Sequence, residues 1–334
     1  MSIASTPTYY GYENCNSYKR RRKGTCDQND CFLSEALKIP RALFLGPATV
    51  APMVSRAFPE ALVLPLPLLK IVMNREKIDL LKTSIDNFDT LLQSPAAVRQ
   101  ISDQLRLLRS EGVLSDFEPY STKAGRRTGI PVLQLNHPAI VLRSQAIQPD
   151  ALLSKIVAGS MMGDYDHCLI SSFYRGDIGP ILREDVCRAE PDYGDHIVVY
   201  VRDSMLSAVK TALKKRTSRE LRIFPHKKFD FIESLASCSG VVATSGHQLS
   251  SEALHLGKPI FSIPMEGQFE QRLNAMMIER SGRGIQAGMG SIEDDLNRYF
   301  NRLEGKMEAS RNPAPEGYCF HDESDRAASL AQGL

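Results

Sequence analysis

The stretch GVVATSGHQLSSEALHLGKPIFSIP, Gly240 to Pro264, reads as a strand, a helix and a second strand. Gly240–Ser245 and Pro259–Pro264 are short branched and apolar runs bounded by Gly or Pro, the pattern of buried strands. A helix over Ser250–Leu256 lies between them. Gly257 ends it, Lys258 suits its negative end, and Pro259 blocks continuation. Strands that alternate with helices in this way make a parallel sheet, because parallel neighbours need crossover helices and are buried on both faces.

The alternation continues on both sides. Upstream lie a strand at His196–Asp203, a helix at Met205–Lys215, a strand at Glu220–Pro225 and a helix at Phe229–Ala236; downstream a helix covers Glu270–Ser281. An earlier series has strands at Arg41–Gly46, Ala61–Pro67, Gly112–Pro119, Gly129–Pro138 and Asp166–Phe173, with a helical stretch reaching Arg127. Apolar residues at helical spacing (Leu80, Leu81, Ile85, Phe88, then Ile101, Leu105, Leu108) predict two amphipathic helices divided near Ser94-Pro95. RGDIGPILRED, Arg175 to Asp185, has linker punctuation, so the boundary falls near Pro180–Arg188 and the domains span 1–183 and 184–334. A last helix is expected around Asp322–Leu330, packing loosely or crossing back. The fold class is α/β: two Rossmann-like domains with parallel sheets facing a cleft.

At 334 residues and 43% hydrophobic content the chain can build two cores. Its 41 Lys and Arg against 39 Asp and Glu give a net charge of +2, which argues against a nucleic-acid partner. Seven scattered cysteines indicate reduced thiols and a cytoplasmic location rather than a disulfide framework. Cys15, Cys26 and Cys31 lack the close spacing and nearby histidines of a zinc site, so no metal is expected. With no long apolar run, the chain is expected neither to span nor to cross a membrane. The basic run Tyr18–Lys23 reads as a solvated surface, with peripheral contact to anionic lipid as its alternative.

In the quoted stretch, Gly246 follows the strand and Ser250 and Ser251 open the helix. Free N–H groups and the positive end of the helix dipole there suit a phosphate. Glu252, read as a first-turn residue, is a helix cap or an acceptor for ribose hydroxyls. Beyond Pro264, Glu266, Gly267, Gln268, Glu270 and Gln271 form a polar loop and helix start at a strand's carboxyl end, able to hold sugar hydroxyls or merely to open a helix. Asp116, Glu118, Asn136 and His137 occupy equivalent positions in the first series, where polar loop residues are commonly just solvated.

Ser245 to Gly284 resembles the donor-binding segment of GT-B glycosyltransferases, especially family 28 relatives of the bacterial N-acetylglucosaminyltransferase of peptidoglycan synthesis and related archaeal and bacterial UDP-sugar transferases. The order of strand, SG, SSEAL, LGKP, IP, EQ and NA carries the match; FIESLASCSGVVATSG, VLSDFEP with GIPVLQLNH, and IGPILR extend it weakly. The resemblance implies a nucleotide-sugar donor, with Ser245, Gly246, His247, Gln248, Ser250 and Ser251 around its diphosphate and Glu252 on the ribose. It also implies Gln268, Glu270 and Gln271 at the sugar, and Ile223, Phe224 and Phe229 against the base. The acceptor, whether lipid-linked, glycan or small molecule, stays open. The implied reaction is inverting and metal-independent, with no cofactor; Asp116, Glu118 and His137 are the candidate bases.

The first forty residues depart from that pattern. They hold no glycine-rich strand-loop and no histidine, and Thr8–Tyr12 is a poor strand, although Phe32–Lys38 resembles the end of a first helix. The segment is expected to be a divergent N-terminus or the product of a misread start or frame. Two further functional classes therefore stand beside transfer: a UDP-sugar epimerase or hydrolase, and a non-catalytic nucleotide-sugar-binding protein.

Overall fold

The computed structural model describes residues 2–5, 43–48, 51–59, 62–66, 73–74, 77–78, 88–288, 292–305 and 313–333. The first unit runs β1 (Ser2–Ser5), β2 (Leu43–Gly46), α1 (Ala51–Ala57), β3 (Leu62–Pro65), β4 (Met73–Asn74), β5 (Lys77–Ile78), α2 (Phe88–Leu107), β6 (Val113–Asp116), α3 (Pro119–Thr128), β7 (Val132–Asn136), α4 (Pro149–Met162) and β8 (His167–Ile170). After a short α5 (Glu184–Cys187), the second runs β9 (His196–Tyr200), α6 (Asp203–Arg216), β10 (Glu220–Ile223), α7 (Phe231–Ser237), β11 (Gly240–Thr244), α8 (His247–His255), β12 (Ile260–Ile263), α9 (Phe269–Arg280), β13 (Gly284–Gln286) and α10 (Ile292–Gly305); α11 (Ser324–Gln332) follows.

Two parallel sheets result, in the orders β3-β2-β1-β6-β7-β8 and β10-β9-β11-β12-β13. Both order patterns reverse direction beside a central strand, where the carboxyl ends of neighbouring strands leave a crevice. Consecutive residues feed opposite layers, as burial on both faces requires. Val113 and Val132 pack with α2 and α3, while Leu114 and Leu133 face Ala327, Ala328 and Ala331 of α11. In the second sheet Ile197 and Val199 face Val209, Leu296 and Tyr299, whereas Val198 and Val241 join a core continuous with Ile140, Phe173 and Tyr174 of the first unit. One apolar layer therefore lies between the two halves.

The chain crosses between the units twice. On its way back, Tyr318 bridges Tyr174 antiparallel, Cys319 N–H donates to the Phe173 carbonyl at 3.0 Å, and Asp322 accepts from Leu182 N–H at 2.8 Å.

Three expectations need correction. The opening strand is Ser2–Ser5, paired in parallel with both β2 and β6 at the centre of its sheet. Ser-Ile-Ala-Ser has little strand propensity, and backbone ladders on both sides place it there; Thr8–Tyr12, Tyr18–Lys23 and Phe32–Lys38 lie outside the described residues. Pro95 does not divide two helices but sits inside α2, since a proline deprives the helix of its own N–H bond without always ending it. The earlier helix, with Leu80, Leu81 and Ile85, is also outside the described residues. Finally, α8 begins at His247, three residues before the serines expected to open it.

Candidate functional site

The earlier start of α8 changes the roles of its residues. Gly246 is the N-cap, in ordinary extended conformation (φ −69°, ψ 141°), and no side chain caps the helix. A Cβ at Gly246 would meet nothing within 4 Å, so the glycine leaves open space before the first-turn N–H groups instead of supplying an unusual backbone angle. Such an uncapped N-terminus attracts anions through its unmatched N–H groups and the helix dipole. Ser250, whose N–H donates to the Gly246 carbonyl, and Ser251, whose hydroxyl donates to the His247 carbonyl at 2.8 Å, are buried within the helix. Ser245 is likewise scaffold: its hydroxyl accepts from Ser262 at 2.8 Å and its carbonyl from the Asn274 amide at 3.1 Å.

Glu252 consequently sits in the second turn, too deep to cap the helix. It is only 1% exposed, and Arg183 grips it bidentately, Nε to Oε1 at 2.8 Å and Nη2 to Oε2 at 2.6 Å. Gln248 donates to Oε1 at 3.0 Å and reaches the Ile181 carbonyl at 3.4 Å. The linker between the two sheets thus holds the carboxylate in a fixed, charge-assisted geometry. Sequence reasoning quoted IGPILR yet gave Arg183 no role; the only signal was a basic residue ending a Gly-Pro linker.

The imidazoles meet across the two units. His137, after β7, stacks on His247 with ring centroids 3.6 Å apart, and Phe173 stacks on His247's ring at 5.5 Å. His137 Nδ1 lies 3.1 Å from the Ser171 carbonyl; Nε2 lies 3.1 Å from Asn274 Oδ1 and 3.8 Å from Glu270 Oε1. Tyr174 donates to the same Asn274 oxygen at 3.2 Å. Burial holds His137 down at about 4, although both hydrogen bonds favour its charged form, and pushes His247 well below the ordinary range. Burial also raises Glu270 to about 7, against a hydrogen bond from Asn274. Asn274 of α9 thus joins His137 and Tyr174 of the first unit to the Ser245 carbonyl beyond β11. On the flank, Arg272 of α9 pairs bidentately with Asp150 of α4, holding the Asp150 carboxyl below its usual range.

Gln268 and Gln271 differ. Gln271 Oε1 accepts from Met265 N–H at 3.1 Å and closes the loop beyond β12. Gln268 is 5% exposed, and its side-chain oxygen and nitrogen both lack a partner, an arrangement whose cost calls for a polar ligand. It is the N-cap residue of α9 but does not cap it.

Among the residues expected at the base, Ile223 ends β10 and packs against the second core, and Phe224 turns into the other core against Phe231, centroids 5.1 Å apart, so its ring cannot stack on a ligand. Phe229 stays half-buried between His226, stacked at 4.6 Å, and the Arg222 guanidinium at 4.2 Å.

The three candidate bases have different surroundings, and Glu118 lies within a network of hydrogen bonds. It is the N-cap of α3; its carboxylate accepts from Tyr120 N–H at 2.8 Å, Ser121 N–H at 2.9 Å and the Ser121 hydroxyl, and it is fully buried. Those bonds hold both oxygens inward. Asp116 ends β6 half-buried beside Ser5, and Phe117 follows in the left-handed region at φ 57°. His137 is wedged in the stack described above.

A pair of parallel, Rossmann-like sheets with an uncapped helix N-terminus at their junction is the GT-B arrangement, and solved structures of that fold superpose along the whole chain. MurG of Acinetobacter baumannii does so with a TM-score of 0.64 and 10% identity, covering 100% of this chain and 99% of that one. A glycotransferase of kitacinnamycin gives 0.61 and 14%, covering 99% and 98%, and Medicago truncatula UGT71G1, solved with UDP-glucose, gives 0.56 and 13%, covering 99% and 97%. Residues 63–304 match the profile described as glycosyl transferase family 1, and the chain belongs to that glycosyltransferase family. Uncharacterized glycosyltransferases of Methanosarcina mazei and Methanosarcina acetivorans are each 44% identical over 55 and 93 residues, 16% and 23% of this chain. Those matches span only 14% and 24% of the relatives' lengths. Among the described residues no helix is long and apolar enough to cross a membrane, and Cys168, Cys187, Cys238 and Cys319 are free.

Proposed function

We propose that the protein transfers a sugar from a nucleotide-sugar donor, a UDP-sugar, to an acceptor hydroxyl with inversion and without a metal. The observation that carries this reading is the uncapped start of α8, with open space before Gly246, five residues from the buried carboxylate of Glu252. The diphosphate would sit on the first-turn N–H groups, and Glu252 would accept the ribose hydroxyls, held in place by Arg183. Gln268, with both polar side-chain atoms unsatisfied, would bind the sugar. Phe229, half-buried between His226 and Arg222, would lie beside the base. As the bond to the sugar breaks, charge develops on the departing diphosphate where the helix dipole is directed, which is how preorganised dipoles lower a barrier.

Asp116 is the base in this reading. It ends β6 half-buried at the strand's carboxyl end, on the face of the first unit where ligands bind in open parallel sheets. The acceptor oxygen loses its proton to Asp116 as it attacks the anomeric carbon. The domain roles follow: residues 1–183 take the acceptor and 184–334 the donor. The acceptor hydroxyl would belong to a lipid-linked, glycan or small-molecule substrate. The protein as isolated, incubated with UDP-sugars and an acceptor extract, should release UDP together with a new glycoside. Free sugar alone would instead identify a hydrolase, and saturable donor binding without turnover a binding protein.

A further inference from the structure

Outside the proposed donor site, the returning segment carries Cys319, His321 and Glu323 two residues apart, beside the linker between the two sheets. One ligand atom from each lies within 4.8 Å of the others. Cys319 Sγ is 3.6 Å from His321 Nε2, and that nitrogen is 3.7 Å from Glu323 Oε1. The sulfur is also 3.6 Å from His321 Nδ1. A tetrahedral zinc ion with bonds of about 2.3 Å to sulfur and 2.0 Å to nitrogen needs the ligating pair roughly 3.5 Å apart, which a turn of the exposed His321 ring supplies.

Glu323 is oriented as a ligand held from behind. It occupies the N-cap position of α11 without capping it. Its Oε2 instead accepts from Gly179 N–H at 2.5 Å and from Arg326 at 2.9 Å, which leaves Oε1 directed at His321, with a longer Arg326 contact of 3.2 Å. Outer partners of this kind fix the direction of a metal-binding carboxylate. Gly179 permits the approach, because a Cβ there would lie 2.4 Å from the Cys319 sulfur.

We infer that Cys319, His321 and Glu323 bind one zinc ion, with water in the fourth position, and that the ion holds the returning segment in its turn into α11. A thiolate, an imidazole and a carboxylate together suit zinc over calcium or magnesium, which take oxygen ligands. On binding, the Cys319 thiol gives its proton to solvent and its sulfur bonds the metal.

Metal-stripped full-length protein titrated with cobalt(II) tests this. The expected result is a thiolate-to-cobalt charge-transfer band that saturates at one equivalent and is erased by one equivalent of zinc. Cys319→Ser should lose the band, and His321→Ala should weaken binding tenfold or more; His321 is 72% exposed, so that variant keeps its fold. The variant carrying Cys15→Ser, Cys26→Ser and Cys31→Ser should retain the band. No saturable band, a band surviving Cys319→Ser, or a band lost in the triple variant overturns the inference. Zinc should also raise the melting temperature of the parent protein and not that of Cys319→Ser, by mass action on the folded state.

Discussion

The facing ends of the two units are built by opposite logic. In the second unit, polar groups are placed by regular structure: an uncapped helix, a carboxylate one turn inside it, an unsatisfied amide at the next helix start. On the opposing side, the polar groups after the strands are turned inward, with Glu118 capping a helix and His137 stacked against its neighbour. A site assembled from helix ends is ready before the ligand arrives. A rim whose groups serve the scaffold leaves few free to do chemistry.

The largest expected effect tests the poorer side. Asp116→Asn should lower kcat about 10²- to 10⁴-fold, the range for losing a general base, with donor affinity unchanged. Equal turnover by the variant would move the base elsewhere on the rim. On the donor side, Glu252→Gln should weaken UDP-sugar binding about 100-fold, since hydrogen bonds to a charged group are each worth roughly 1.5–3 kcal/mol. Undiminished thermal stabilisation by donor would remove Glu252 from the ribose.

The seam between the halves has its own signature in pH. Glu270's folded value, about 7, lies above its ordinary 4.5, so its contribution to stability is full below about 4.5 and is lost as pH rises to about 7. His137's folded value, about 4, lies below 6.5, so its contribution is full above about 6.5 and is lost as pH falls to about 4. The slopes oppose each other over the shared window. Denaturant unfolding of Glu270→Gln should therefore expose a rise in stability of at least about 2–3 kcal/mol from pH 4 to 6.5, because buried His247 titrates in the same direction as His137. The double variant His137→Gln, His247→Gln should show a fall of about 2–3 kcal/mol from pH 4.5 to 7. Flat profiles in both variants would mean that neither group is buried as described.

The smallest effect is the most discriminating. Glu118→Gln should cost about 1 kcal/mol of stability, typical for a weakened N-cap, and leave kcat intact. A fall in kcat at unchanged stability would return Glu118 to the chemistry.

The same contrast explains what could be read from residues alone. Strands such as Leu43–Gly46 and Gly240–Thr244 were legible because burial on both faces demands continuous apolar runs. Ser2–Ser5 was not, because its position depends on ladders with strands tens of residues distant. Gly246 and Glu252 stood out through local pattern, yet the depth of Glu252 was misjudged: where α8 begins depends on Gly246 as N-cap, and helix starts are loosely encoded. Glu118 stood out as a polar residue after a strand, and its capping role is the local chemistry that also makes such residues common there. Arg183, Tyr174 and the pairing of His137 with His247 join residues far apart in sequence, so no local signal marks them.

The double passage of the chain has a mechanical consequence. Because the outgoing segment near Tyr174 and the returning segment near Tyr318 lie side by side, and the His137–His247 stack and the Arg272–Asp150 pair also span the seam, the second unit is riveted to the first at several separate points. A seam fastened in this way passes a displacement at the start of α8 directly to the loop after β7.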